Sequence, residues 1–139
     1  MSACPLEDRL AIEDLAIAYC SAVDRIGDTD GVASLFTEDA VYDLQALGLG
    51  EKEGRDAVRA FFEDAFKTMG HNAHFLTNFR LLNYAGDEAK AASYVHGFSQ
   101  GVDGNVLEVK ASYTFDLVRT TEGWRFRRLA VAMLMPLTR

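Results

Sequence analysis

The sequence predicts an α+β fold in which helices pack on one face of a mainly antiparallel, strongly bent sheet. Three observations lead there. Helix-periodic apolar residues are confined to the chain before Gly70. After Gly70 the chain reads as successive β-runs separated by Gly-containing turns. The only prolines, Pro5 and Pro136, lie near the ends, so neither interrupts an element. Helices first and strands afterwards make a layered α+β domain. A bent sheet with helices across its open side forms a cone, whose interior suits a small molecule.

The first helix is expected from Pro5 or Leu6 to about Ile26. Ile12, Leu15, Ala16, Tyr19, Val23 and Ile26 recur at helical spacing and form one apolar stripe. Glu7 and Asp8 suit the positive end of the helix dipole, and Gly27 suits the stop. A short helix follows, about Thr29 to Phe36, with Asp28 or Thr29 as its N-cap. Ala40 to Leu44 reads as a short strand and Gly48 to Gly54 as a loop. Val58, Phe61, Phe62, Ala65, Phe66 and Met69 then mark a third helix that ends at Gly70. The β-runs are His74 to Tyr84, Lys90 to Gln100, Val106 to Arg119 and Trp124 to Met135. Within the third of them Leu107, Val109, Ala111, Tyr113 and Phe115 share one face.

Composition narrows the function. A chain of 139 residues fits one domain, 1–139, and is long enough to bury a core without disulfides or metal. Fourteen basic and twenty-one acidic residues give a net charge of −7, with no basic cluster, which argues against nucleic acid and anionic membranes as partners. The N-terminus lacks the positive and apolar regions of a signal peptide, and no apolar run reaches the ~20 residues of a membrane span. Cys4 and Cys20 do not make a disulfide framework, so both are read as reduced thiols of a cytoplasmic protein. Dinucleotide, Walker and nucleophile-elbow motifs are missing, which argues against nucleotide enzymes and serine hydrolases. His71 and His74 have strand spacing that sends them to opposite faces, and no Cys pair lies near, so the metal expectation is none.

A few residues remain as candidates for chemistry. His74 opens a strand, with Leu76, Asn78, Arg80 and Leu82 on its face if the strand is regular. It is either a general base or a hydrogen-bonded core histidine. Asp24 lies at the edge of the buried face of the first helix, on the flank with Ile17 and Cys20, and is either its partner or a solvated acid. His96 shares a face with Tyr94 and Phe98. Tyr19 lies on the apolar stripe, where its hydroxyl needs a partner. Tyr42 and Asp43 alternate, so only one of them points inward.

Taken in order, these residues resemble the SnoaL-like branch of the nuclear-transport-factor-2-like superfamily over nearly the whole chain. The likeness rests on Ala11-Ile12-Glu13-Asp14-Leu15, Tyr19, Ala22-Val23-Asp24, Gly27-Asp28 and Leu35-Phe36-Thr37-Glu38-Asp39-Ala40-Val41-Tyr42. It continues through His74, Thr77-Asn78, Arg80-Leu81, Gly86-Asp87 and Gly123-Trp124-Arg125-Phe126. The resemblance implies a cone of five or six strands with three helices. It extends to the lyases of the group: lindane dehydrochlorinase, scytalone dehydratase and bile acid 7α-dehydratase. The catalytic aspartate and histidine of the dehydrochlorinase fall on Asp24 and His74. The bile acid enzyme has an active-site Tyr and Asp at the Tyr19–Asp24 spacing, and a second polar group one strand later falls near His96. The dehydrochlorinase differs in having a lysine where Tyr19 stands, a cysteine where Asn72 stands and an arginine at or beside Leu129.

The resemblance implies a cofactor-independent β-elimination. His74 acts as base, Asp24 orients it, and Tyr19 or His96 serves the leaving oxygen or the enolate. Substrate-lining candidates are Tyr42, Phe61, Phe62, Asn78, Tyr94, Phe98, Phe115, Trp124 and Met133, which suggest a small cyclic or aromatic substrate. Two other readings stay open. Ketosteroid isomerase and polyketide cyclases of the same superfamily use an acid as base, which points to Asp43 with Tyr19. Other members only bind a ligand. A homo-oligomer is expected from apolar residues placed on the outer sheet face, Leu129, Val131 and Met133, with a trimer favoured by the lyase likeness.

Overall fold

The computed structural model describes residues 3–139; Met1 and Ser2, the start of the stretch read as lacking a signal peptide, lie outside it. Helix α1 spans Leu6–Asp24, α2 Thr29–Ala33 and α3 Arg55–Ala65. Strands are β1 Phe36–Asp43, β2 Glu51–Glu53, β3 Met69–Tyr84, β4 Glu88–Gly101, β5 Val106–Thr120 and β6 Gly123–Met133. They form one open sheet in the order β2-β1-β6-β5-β4-β3. Every neighbouring pair is antiparallel except β1 and β6, which run parallel. The α+β class, three helices and six strands agree with the sequence expectation. No helix among the described residues is long and apolar enough to cross a membrane.

The stripe of α1 is buried along its length, through Ile12, Leu15, Ala16, Tyr19, Cys20, Ala22 and Val23. It packs across the concave face, mostly against β3. Beneath it Phe36, Phe115 and Phe126 are almost fully buried, and the Phe115 and Phe126 rings stack 5.3 Å apart. Each such ring contributes roughly 1.5–3 kcal/mol by leaving water. The α1 helix stops at Asp24, two residues before Ile26, because Ile26 and Gly27 both take positive φ and turn the chain. Asp28 caps α2 by accepting a hydrogen bond from the Gly31 N–H at 3.0 Å. That helix ends at Ala33 rather than Phe36, which instead opens β1.

Three sequence expectations fail for local reasons. Glu51–Glu53, read as loop, pairs with β1 as the edge strand β2; three residues carry too little alternation to be recognised. Strand β3 begins at Met69, five residues before His74. Within β3, Asn78 takes φ 56° and the pairing with β4 shifts between Thr77 and Arg80. This bulge reverses the alternation. His74 and Leu76 are partly buried, Asn78 and Arg80 are exposed, and Phe79 and Leu81 take over the inner face until a second shift, between Leu81 and Asn83, turns Tyr84 inward. Asparagine tolerates that backbone better than other non-glycine residues.

The N-terminal end of α1 is anchored by one carboxylate. Asp8 accepts two hydrogen bonds from the Arg119 guanidinium, at 2.7 and 3.2 Å, and one from the Tyr84 hydroxyl at 2.6 Å. Arg119 also donates to Asp87 and the Gly86 carbonyl, and lies over the Trp124 ring 4.7 Å from its centre. Its hydrogen bond, with that from Tyr84, holds the Asp8 carboxyl below its ordinary 3.8. A depressed folded-state pKa gives stability that is present above the unfolded value and is lost as pH falls through the folded one. Asp8→Asn is therefore expected to lower the melting temperature at neutral pH and to flatten its fall below about pH 4. Thermal melts of both proteins across acid pH check this; parallel curves refute it.

Candidate active site

Asp24 is the last residue of α1, and His74 lies on the strand that α1 crosses. One Asp24 oxygen stands 2.6 Å from His74 Nδ1, and the other accepts the His74 backbone N–H at 3.0 Å. A carboxylate only accepts, so Nδ1 carries a proton, and in the neutral imidazole the lone pair is then on Nε2. The two side chains are mostly buried, with 20% of His74 and 27% of Asp24 exposed. An anion at a helix C-terminus faces the negative end of the dipole; two N–H donors from one residue offset that cost.

His74 lines a cavity of about 190 Å³ inside the cone. Its deep end holds Tyr19, Tyr42 and Tyr113. The Tyr19 and Tyr42 hydroxyls are hydrogen-bonded, and the Tyr19 and Tyr113 rings meet edge to face at 5.8 Å. The rest is almost wholly apolar, with Phe61 and Phe62 from α3, Val23 from α1, and Val95 and Val109 from the sheet. Leu44, Leu47 and Leu49 cover it from the loop after β1. Asn72 adds a polar spot, its amide donating to the Val23 carbonyl at 3.3 Å while Oδ1 has no protein partner. Among the described residues no Lys, Arg, Asp or Glu lines the cavity.

The structure thus brings Asp24, His74, Tyr19, Tyr42, Phe61 and Phe62 to one place. It does not bring the other candidates there. His96, Tyr94 and Phe98 project from the outer face of β4, because the inner face is taken by Ala91, Ser93 and Val95. His96 pairs with Glu108 at 2.6 Å and packs on Phe98. The small side of β4 is the inner one and the aromatic side the outer one. Asn78 sits at the bulge, in an outer cleft with Arg80 and Tyr94. Phe115 and Trp124 are buried in the core away from the cavity, and Met133 packs on the core at the end of β6 without lining it.

Two further corrections bear on alternatives. Tyr42 faces inward and Asp43 does not: Asp43 is bound to Arg128 at 2.5 Å and accepts the Gln45 N–H. Leu129 is fully buried rather than on the outer face, and Val131 lines the cavity. Asn72, Tyr113 and the Leu44–Leu49 loop are lining residues that the sequence reading missed. Tyr113 lay on the face already recognised in β5, and Asn72 has the parity of His74 once β3 is extended back to Met69. The loop has no periodicity to reveal it. Among the described residues, no three His, Cys, Asp or Glu side chains gather to hold a metal.

Burial sets the protonation of the cavity floor. It pushes Tyr19 and Tyr113 well above their ordinary 10.0 and raises Tyr42 as well. The Cys20 thiol beside them is pushed from 9.0 up to about 12. These hydroxyls are therefore hydrogen-bond donors, not bases, at neutral pH. Because the folded-state values are raised, the stability they give is present below the unfolded values and is lost as pH climbs past them. We expect stability to fall progressively above about pH 9. In an ultraviolet difference titration the three tyrosines should ionise only on unfolding. Ionisation of all five tyrosines in the folded protein would refute this.

Comparison with known proteins identifies the family and the fold. A curated relative, an uncharacterised protein of Mycobacterium tuberculosis, is 34% identical, over 92% of this chain and 86% of its own. A solved structure from Novosphingobium aromaticivorans, provisionally described as an aromatic ring hydroxylase, is 47% identical with a TM-score of 0.96, covering 98% of this chain and 95% of its own. A type 2 hexachlorocyclohexane dehydrochlorinase is 25% identical with a TM-score of 0.83, covering 96% and 88%. A protein of N. aromaticivorans provisionally described as a scytalone dehydratase shares the fold at 23% identity and a TM-score of 0.87, covering 96% and 87%. The SnoaL-like domain model matches residues 5–130. The chain belongs to the SnoaL-like family, within the nuclear-transport-factor-2-like fold.

Proposed function

We propose that the protein is a cofactor-independent lyase that catalyses β-elimination, of the dehydratase type, on a small neutral cyclic or aromatic substrate. The observation that carries this reading is the 2.6 Å contact of His74 Nδ1 with Asp24 at an apolar cavity that His74 lines. In this reading Nε2 takes a proton from a carbon next to an activating carbonyl. The electrons of the broken C–H bond form the new double bond as the leaving group departs with its own bonding pair. Asp24 keeps the imidazole in the Nδ1–H tautomer and stabilises the imidazolium that forms. Of the hydrogen-bonded Tyr19 and Tyr42 hydroxyls, one donates to the other, and that other donates its own proton to the oxygen that gains negative charge, in a site where low dielectric strengthens such bonds. A departing hydroxide takes its proton back from the imidazolium and leaves as water.

The absence of charged lining residues supports a neutral substrate, because a buried anion or cation would have no partner. Tyrosine takes the hydrogen-bonding role toward the enolate oxygen that His96 was expected to share. The isomerase alternative loses support, since its base, Asp43, is tied to Arg128 outside the cavity. The dehydrochlorinase likeness supports elimination as the reaction class. A cytoplasmic homo-oligomer belongs to the same reading. Its contact surface would be the exposed Phe75, Tyr94 and Phe98 of the outer sheet, not Leu129.

The test is turnover of a panel of six-membered rings carrying a carbonyl and a hydroxyl or halide on the β-carbon, followed by absorbance of the new double bond. His74→Ala and Asp24→Asn should each lower kcat by about 10²–10⁴-fold. Their circular dichroism should match the parent. Full activity in either variant, or tight binding of every ring with recovery unchanged, overturns the proposal.

A further inference from the structure

We propose that Gly97 is a positioning residue, whose missing side chain lets the His74 imidazole keep its bond to Asp24 while lying against the sheet at the cavity. The inference rests on the dyad just described. His74 on β3 and Gly97 on β4 are direct partners in the sheet register, and both line the cavity. A Cβ added at Gly97 would stand 3.0 Å from His74 Cδ2 and 3.3 Å from Nε2. The imidazole therefore occupies the space that a side chain at 97 would need.

The backbone gives no other reason for glycine here. Gly97 is not among the glycines with positive φ, and it sits inside a regular strand, where glycine is disfavoured because it has nothing to pack and loses most freedom on folding. The inward neighbours on the same strand, Val95 and Ser99, both carry side chains.

The ring has little room to yield. The Cδ2–Nε2 edge that faces Gly97 lies across the imidazole from Nδ1. A methyl group at 97 drives the ring toward Asp24, where the contact is already 2.6 Å and the His74 backbone is bound to the second oxygen at 3.0 Å. The remaining escape is a tilt of the imidazole, which bends the Nδ1–H bond and moves Nε2 out of line with the substrate carbon. Gly97 thus acts through His74 and touches no reacting atom itself.

The test uses Gly97→Ala alone and combined with His74→Ala. In the parent, the His74 Nδ1–H should give a downfield proton resonance, identified by its loss in His74→Ala and Asp24→Asn. In Gly97→Ala that resonance should shift upfield or broaden. On a substrate of the parent enzyme, kcat should fall about tenfold with KM nearly unchanged. The melting temperature should fall when Gly97→Ala is made with His74 present. It should rise when Gly97→Ala is made in the His74→Ala background, where the clash is gone and alanine suits the strand better. Recovery of folding by the double variant supports the proposal even if Gly97→Ala alone does not fold. An unchanged resonance, or the same change in melting temperature in both backgrounds, overturns it. Failure of the lyase reading looks different: no ring in the panel is turned over, while the resonance and the stability coupling still respond to Gly97→Ala.

Discussion

Helix α1 is held to the sheet by a carboxylate at each end, and the rest of the molecule is organised by that constraint. Asp8 binds Arg119 and Tyr84 near the N-terminus of the helix, and Asp24 binds the ring and backbone of His74 at the C-terminus. The two anchors stand roughly 24 Å apart along an ideal helix. Between them the apolar stripe fills the concave face. Asp8 sits where the helix dipole favours an anion and Asp24 where it does not. The first anchor is thus well placed for stability. The second places an anion against an imidazole at the edge of the cavity, where it can serve chemistry.

The cavity divides its labour between one wall and one floor. In the proposed reaction the wall supplies the proton acceptor, His74 Nε2, held in one tautomer by a carboxylate that is itself withdrawn from the cavity. The floor supplies donors, since burial keeps Tyr19, Tyr42 and Tyr113 protonated. The remaining surface is mostly apolar, with Asn72 and Ser99 as its polar spots, and carries no Lys, Arg, Asp or Glu among the described residues. Such a site favours movement of one proton and some charge on one oxygen within a neutral molecule. It is poorly suited to phosphate or carboxylate groups, which would enter with no cation to meet them.

Much of this was legible in the chain, and the failures share a cause. Helical stripes and strand alternation were readable because they are local periodicities. The identity of the inner face of β4 was not readable, since Tyr94-His96-Phe98 and Val95-Gly97-Ser99 alternate equally well and the aromatic set is the outer one. Asn78 shows the same limit within a strand: one residue in a left-handed conformation inserted a bulge, and Phe79 and Leu81 turned inward in place of Asn78 and Arg80. Leu129 was misplaced because its strand is covered on its inner face by a core that the chain assembles from distant segments.

By itself the sequence determined the fold class, the three helices and every strand but the short edge strand β2, and the pairing of Asp24 with His74 through family resemblance. Each follows from nearest-neighbour patterns or from motifs kept in order along the chain. Tertiary structure alone decided which of Tyr42 and Asp43 faces the cavity, that His96 lies outside it, that three tyrosines share its floor, and that the His74 ring fills the space above Gly97. Those outcomes depend on strand register and on which face α1 covers. Both are set by packing between segments tens of residues apart, where a shift of one residue exchanges inside for outside.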